Sequence, residues 1–157
     1  MIGGRIEVVI RPAERSDIGA IIALFAEDAL GGHGDTTDEH ARPRYEAAFA
    51  RISASPNDML YVAERKGEVV ATFQTTLVTT LRGQGSSSLT ISAVQTRADL
   101  RGRQIGEQMM RFAIEEARAK GARTGQLMSN SRRTEAHRFY ERLGFSRSHA
   151  GFKIKLE

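Results

Sequence analysis

The chain has 157 residues, a length that fits one domain burying about two thirds of the surface of its unfolded chain. It contains no cysteine, which excludes disulfides, thiolate nucleophiles and sulfur-ligated zinc sites and fits a reducing compartment, so we expect a cytoplasmic protein. Its net charge of +4 favours anionic partners without choosing between nucleic acid, a membrane surface and a phosphorylated cofactor.

Neither nucleic acid nor a membrane is the expected partner. The basic residues are scattered through every segment, and three tyrosines with no tryptophan offer little for stacking on bases, so a nucleic-acid-binding protein stays a minor alternative. No apolar run approaches the length of a membrane span, and residues 1–5 lack the apolar core of a signal peptide.

The first half of the chain predicts one strand, two amphipathic helices and a hairpin with Gly67 in its turn. These elements cover residues 6–10, 18–25, 43–52, 60–64 and 69–80. The glycine-rich loop at residues 31–35, between the two helices, is either a lid or substrate edge or a plain connection.

The second half predicts a strand, a long helix, a strand, a short helix and two final strands, after a glycine- and serine-rich loop at residues 82–88. These elements cover residues 89–94, 105–117, 125–128, 136–143, a run from 145 onward, and 152–156. The resulting order predicts an α/β fold for residues 1–157, with a mixed central sheet of six to seven strands flanked by about four helices.

An arginine- and glycine-rich turn at residues 100–106 separates a predicted strand from the long helix. The first N–H groups of a helix have no intrahelical partner and lie at the positive end of its dipole, so the turn favours an anion. Gly102 and Gly106 allow a ligand to approach the backbone, and Arg101 and Arg103 add forked donors that match phosphate oxygens. On composition alone, a connecting turn with solvated arginines is the alternative.

With this turn and a second segment at residues 136–145, the chain resembles the GNAT superfamily of acetyl-CoA-dependent N-acetyltransferases. The family signature Arg/Gln-x-x-Gly-x-Gly/Ala matches residues 101–106, and the signature Ala-x-x-Phe-Tyr-Glu-x-Leu-Gly-Phe matches residues 136–145. Gln104 departs from the first signature because it stands where the family has a glycine, and its side chain either crowds a pyrophosphate or hydrogen-bonds to it. The resemblance implies a GNAT fold, acetyl-CoA as the cosubstrate and no metal.

The resemblance also implies which residues bind and act. The strand before the turn would hydrogen-bond the pantetheine arm, and one of its N–H groups would polarise the thioester carbonyl. Tyr140 would be the general acid, because a phenol with a pKa of about 10 stays protonated at neutral pH and can donate to a thiolate. The expected cofactor-binding residues are Val94, Gln95, Thr96, Arg101, Gly102, Arg103, Gln104, Ile105, Gly106 and Arg133.

Arg132, Arg133 and Asn130 lie where family members contact the phosphates of the cofactor from its far side. The two arginines are equally well interpreted as a solvated basic pair, because surface arginines are common.

No general base stands out in the sequence. Ser92 occupies the position where many family members carry a glutamate, and a serine hydroxyl cannot take up a proton near neutral pH. Glu64, Asp28, His33 and His149 are the alternatives. An acceptor amine that arrives neutral would need no base.

The sequence therefore predicts transfer of an acetyl group from acetyl-CoA to a primary amine of an unidentified acceptor, by direct attack in a ternary complex. A non-catalytic acyl-CoA-binding module, acting as a sensor or scaffold, is the alternative that Ser92 and Gln104 favour. A homodimer formed through the sheet edge or the terminal strands is left open.

Overall fold

The computed structural model describes residues 3–28 and 32–157, so residues 1–2 of the N-terminal run and Gly31 of the glycine-rich loop lie outside the described residues. Within these ranges the chain forms five strands and five helices. In chain order they are β1 (Val9–Pro12), α1 (Ile18–Ala26), α2 (Arg42–Ala54), β2 (Asp58–Arg65), β3 (Glu68–Thr79), α3 (Arg82–Gly85), β4 (Ser87–Thr96), α4 (Ile105–Ala119), β5 (Thr124–Leu127) and α5 (Thr134–Arg142).

The strands form one mixed sheet in the order β1-β2-β3-β4-β5. Neighbours from β1 to β4 are antiparallel, and β5 runs parallel to β4. The β2–β3 hairpin turns at Lys66 and Gly67, whose φ angles of 51° and 79° suit the two-residue turns that match the twist of paired strands. The parallel pair needs a crossover connection, and α4 supplies it.

Helix α4 covers one face of the sheet with its apolar stripe. Phe112 packs edge-on against Tyr61 and Phe73, with ring centroids 5.0 and 6.2 Å apart. Helix α1 packs against β3, and α2 packs against β2. The residues that α4 buries are Ile105, Met109, Met110, Ala113 and Ala117.

The prediction of six to seven strands is wrong, because residues 145–157 form neither of the two strands expected there. The side chains of Phe152, Ile154 and Leu156 are 95%, 80% and 92% exposed. Alternation of apolar and polar residues produces a strand only where a neighbouring strand pairs with it and a core takes up the apolar face. Residues 152–156 have neither, so the sheet ends at β5.

The helix count differs from the predicted four by α3, a single turn inside the predicted loop at residues 82–88. Gly83 and Gln84 take left-handed φ angles of 67° and 63° there, so α3 serves as the connection between β3 and β4. No helix in the described ranges is both long and apolar enough to cross a membrane.

Candidate functional site

Strand β4 carries a bulge near its C-terminal end. Between the pairs Thr72–Gln95 and Gln74–Ser92, β4 advances three residues while β3 advances two. Ala93 lies inside this stretch with a left-handed φ of 52°. The extra residue bends the strand and changes which backbone groups face its neighbours.

Strand β4 also extends beyond its parallel partner. The last pair between β4 and β5 is Ile91 with Leu127, although β4 continues to Thr96. The edge of β4 at residues 94–96 that faces β5 is therefore open to hydrogen bonds from a ligand. Gln95 is buried, at 7% exposure, and its carboxamide makes no hydrogen bond to another side chain or backbone group of the described chain.

The turn at residues 100–106 presents a row of backbone donors. Leu100 is buried and anchors the turn, and Gly102 has a left-handed φ of 75° with open space on its Cβ side. The first hydrogen bond of α4 runs from the N–H of Gln108 to the carbonyl of Gln104. The N–H groups of residues 102–107 therefore donate to no other group in the described chain, and they lie at the positive end of the α4 dipole.

The two arginines of the turn have different surroundings. Arg101 is exposed and forms no ion pair within the described residues, so its guanidinium is available to an anion. Arg103 donates from Nε to the carbonyl oxygen of Gly4 at 2.6 Å. Arg103 thus holds the N-terminal segment against the turn.

Gly106 brings α4 and α5 together. A Cβ atom on this glycine would lie 3.3 Å from Cζ of Phe139, tighter than an ordinary contact. The sequence predicts that Gly106 lets a ligand approach the backbone. The structure shows that Gly106 also lets helix α5 approach α4. The absence of a side chain at this position lets α5 lie against the first turn of α4.

Tyr140 follows Phe139 on α5 and packs between two aromatic rings. Its ring centroid is 5.2 Å from that of Phe139 and 6.0 Å from that of Phe145. Burial raises the pKa of the Tyr140 phenol above its ordinary value of 10.0, and the positive charge of Arg133 opposes part of that rise. The hydroxyl makes no hydrogen bond within the described residues, so it holds a proton that it can donate to a ligand.

Arg133 lies immediately before α5 and pairs with Asp28, which follows α1. The Nη2–Oδ2 distance is 2.7 Å, and the Asp28 side chain is largely buried. Arg133 is therefore a half-buried partner of a carboxylate, which neither sequence-based interpretation anticipated. Asn130 shapes the turn before α5, since its side chain accepts from the N–H of Arg132 at 2.9 Å.

Of the four alternatives for a general base, Asp28 and His33 line one small pocket at the end of α1. Glu64 on β2 accepts from Nε of Arg11 at 2.7 Å, and Asp28 is paired as described above. His33 lies in the loop between α1 and α2, and His149 is exposed near the C-terminus, where its ring bonds to a neighbouring serine. The structure therefore brings Asp28 and His33 to one pocket, and Glu64 and His149 are not part of its lining. Among the described residues there is no cluster of three or more His, Asp or Glu side chains that could hold a metal ion.

Residues 19–145, which include both the turn and α5, match the model of the acetyltransferase (GNAT) family. The chain belongs to the GNAT acetyltransferase family. The prediction drawn from the two signatures is therefore confirmed, and the GNAT family implies acetyl-CoA as the acetyl donor.

Similar proteins cover nearly the whole GNAT domain. The aminoalkylphosphonate N-acetyltransferase of Salmonella typhimurium is 34% identical over 147 residues, which is 94% of this chain and 90% of that protein. A Bacillus halodurans protein named a transcriptional regulator is 36% identical and has a TM-score of 0.92. The match covers 96% of this chain and 100% of that protein. A candidate acetyltransferase of Agrobacterium tumefaciens is 28% identical with a TM-score of 0.81, covering 94% of this chain and 99% of that one.

Proposed function

We propose that residues 1–157 form one acetyl-CoA-dependent N-acetyltransferase domain, acting on a small primary amine that carries a phosphonate or a similar anion. The observation that carries this proposal is the row of free N–H groups at residues 102–107, which lies next to the helix that bears Tyr140. An anion cradle and a proton donor thus occupy neighbouring elements. The acceptor class is suggested by the Salmonella relative, whose name specifies aminoalkylphosphonates.

The residues around the turn fit a coenzyme A thioester. The free N–H groups and Arg101 would meet the pyrophosphate, and the open edge of β4 at residues 94–96 would hydrogen-bond the amide groups of the pantetheine arm. Gly102 leaves the space that a bulky anion needs beside the backbone. Acetyl-CoA would supply the activated acetyl group, and the protein would supply position, charge and a proton.

Two groups of the chain would assist the reaction of the amine with the acetyl carbonyl. An N–H group of β4 would stabilise the negative charge that develops on the carbonyl oxygen. Tyr140 would give its proton to the departing sulfur as the C–S bond breaks and the C–N bond forms, and its raised pKa keeps that proton in place at neutral pH. The surplus proton of the amine would pass to solvent, and Tyr140 would regain from solvent the proton that it gave to the sulfur.

Arg133 can act toward either substrate. A contact with the cofactor phosphates would make Arg133→Met raise the KM for acetyl-CoA. A contact with the anion of the acceptor would raise the KM for the acceptor instead. Arg133 immediately precedes α5, the helix that bears Tyr140, so both contacts lie within the proposed site and the two KM values decide between them.

The test is a transfer assay that follows free thiol, which is clean here because the chain itself has no cysteine. The acceptors are an aminoalkylphosphonate, its carboxylate analogue, the corresponding alkylamine and a lysine peptide. We expect turnover on the phosphonate to exceed turnover on the alkylamine by about tenfold or more, as for a charge-assisted contact. Equal turnover on all four acceptors would contradict the preference for a phosphonate. No turnover on any acceptor would contradict the proposal that the chain is an acetyltransferase.

A non-catalytic acyl-CoA-binding module is the second candidate. Ser92 in place of a glutamate favours it, and so does the Bacillus halodurans relative that is named a transcriptional regulator. A non-catalytic module would bind acetyl-CoA without turnover on any amine. Salt-sensitive binding to nucleic acid with no affinity for coenzyme A would instead support the minor alternative.

A further inference from the structure

Gln104 adopts a backbone conformation that its side chain does not favour. Its φ and ψ angles are 66° and 19°, in the left-handed region, and it precedes the first residue of α4. A residue with a Cβ atom is sterically strained in this region, whereas glycine enters it freely. The side chain of Gln104 is exposed, so burial does not hold it there.

Gln108, one helical turn further on, makes contacts that hold this conformation. Its Nε2 donates to the carbonyl of Gln104 at 3.2 Å, and its backbone N–H donates to the same carbonyl at 3.3 Å. The same Nε2 donates to the carbonyl of Ile6 at 2.7 Å, and Oε1 accepts from the N–H of Val8 at 3.3 Å. The side chain thus pairs with an extended segment as a neighbouring strand would.

The segment to which Gln108 bonds also contacts the core and the turn. Ile6 is buried in the core cluster that also contains Ile105, and its N–H donates to the carbonyl of Arg103 at 3.0 Å. Arg103 in turn donates from its side chain to Gly4 at 2.6 Å. The N-terminal segment, residues 3–8, is therefore hydrogen-bonded to the turn through Gly4 and Ile6 and to α4 through Ile6 and Val8.

We propose that Gln108 is a positioning residue for coenzyme A binding: by tying the Gln104 carbonyl to the N-terminal segment, it holds the left-handed turn whose N–H groups face the pyrophosphate. This inference rests on the proposed function. It assigns to Gln108 and residues 3–8 the task that a glycine at position 104 performs in the family signature. Gln108 itself acts through Gln104 and touches no ligand.

The test is a double-mutant cycle read by calorimetric binding of coenzyme A. We expect Gln108→Ala to weaken binding about fivefold in the wild-type background, the size expected for losing the one side-chain hydrogen bond that reaches the turn, from Nε2 to the Gln104 carbonyl. In the Gln104→Gly background, Gln108→Ala should weaken the binding of coenzyme A by less than about twofold, because glycine adopts the left-handed conformation without support. Gln108→Met, which keeps the length of the side chain, should behave like Gln108→Ala.

A matched control and a truncated substrate separate positioning from general damage. Gln126→Ala removes a glutamine on β5 whose Nε2 makes one hydrogen bond, 3.1 Å long, to Thr90, and we expect it to leave the affinity for coenzyme A unchanged. In the transfer assay Gln108→Ala should raise the KM for acetyl-CoA and leave kcat unchanged. With S-acetylpantetheine, which lacks the pyrophosphate, it should have no effect.

The outcomes distinguish the two proposals. If the wild-type chain does not bind coenzyme A, the proposed function fails and this inference fails with it. If the wild type binds and Gln108→Ala binds equally well, or loses the same factor in both backgrounds, the inference is overturned while the function stands.

Discussion

The hydroxyl of Tyr140 can be removed with little change in packing, because its ring already lies between Phe139 and Phe145. We predict that Tyr140→Phe lowers kcat by about 100-fold or more, the usual contribution of a positioned acid, and leaves coenzyme A binding unchanged. The wild-type kcat should fall only at a pH above the ordinary phenol pKa of 10.0, since burial raises the pKa of this group. The variant should lack that alkaline fall.

Tyr61→Phe is the matched control for this prediction. Tyr61 is buried against α4 in the aromatic cluster, apart from the residues assigned to the reaction, so its kcat per folded molecule should equal that of the wild type. An unchanged kcat in Tyr140→Phe, with a pH profile like that of the wild type, would remove Tyr140 from the mechanism.

The left-handed turn at Gln104 leads to a prediction about stability. Gln104→Gly relieves the steric cost of the Cβ atom but makes the unfolded chain more flexible, so we expect a net gain of a few tenths to about 1 kcal/mol in the free energy of unfolding. Gln84→Gly is the matched control, because Gln84 is also exposed and has a φ of 63° beside 66° for Gln104. Urea unfolding of both variants measures the gain. If Gln104→Gly lowers the free energy of unfolding while Gln84→Gly raises it, the turn at position 104 is not strained.

Between elements, the contact of Gly106 with Phe139 sets the distance between α4 and α5. We predict that Gly106→Ala moves α5 by a few tenths of an ångström, since the new Cβ would lie 3.3 Å from the Phe139 ring. Because Tyr140 is the next residue, kcat should fall several-fold. Gly125→Ala, a glycine on β5 with open space beside it, should leave kcat unchanged.

The companion variant Gly106→Ala with Phe139→Leu tests the cause of that fall. A smaller side chain at position 139 makes room for the Cβ atom, so part of the lost kcat should return. A raised KM for acetyl-CoA with an unchanged kcat would instead mean that the Cβ atom obstructs the cofactor and not the helix.

Elements with a strong and complete pattern were predictable from the sequence. Helix α4 and strands β2 to β4 formed within a few residues of their predicted bounds, because each has a regular apolar period and a core to bury it in. The alternation at residues 152–156 is as regular as in those strands, but no strand pairs with this segment and its apolar side chains are exposed. The bulge at Ala93 has no counterpart in the pattern, since a single alanine in an alternating run does not indicate a left-handed φ.

Across the whole molecule, the candidate site depends on contacts between distant parts of the chain. The Arg133–Asp28 pair joins residues 105 positions apart, and the bond from Gln108 to Ile6 spans 102 positions. Such contacts leave no period or signature in the sequence, so the motifs located the turn and Tyr140 but not their supports.

A cluster of ion pairs around Arg11 holds the N-terminal half together and predicts how stability depends on pH. Arg11 on β1 donates to both carboxylate oxygens of Asp17, at 2.7 and 3.0 Å, and to Glu64 on β2 at 2.7 Å. Asp17 is buried, at 7% exposure, and also accepts from the N–H of Glu14 at 2.7 Å. The hydrogen bonds from Arg11, opposed by burial, hold the pKa of the Asp17 carboxyl below its ordinary value of 3.8.

Because the folded pKa of Asp17 lies below the unfolded one, this pair stabilises the fold fully above about pH 4 and loses its effect as the pH falls through the folded pKa. We predict that Asp17→Asn lowers the free energy of unfolding at pH 7 by about 1–3 kcal/mol, since Arg11 then loses the more buried of its two carboxylate partners and keeps only Glu64. Its urea midpoint should also change less between pH 5 and pH 3 than that of the wild type. Glu115→Gln, which removes an exposed pair with Arg118 on α4, is the control and should follow the wild-type curve. Parallel curves for Asp17→Asn and the wild type would mean that the Arg11 contact does not set the acid stability of this chain.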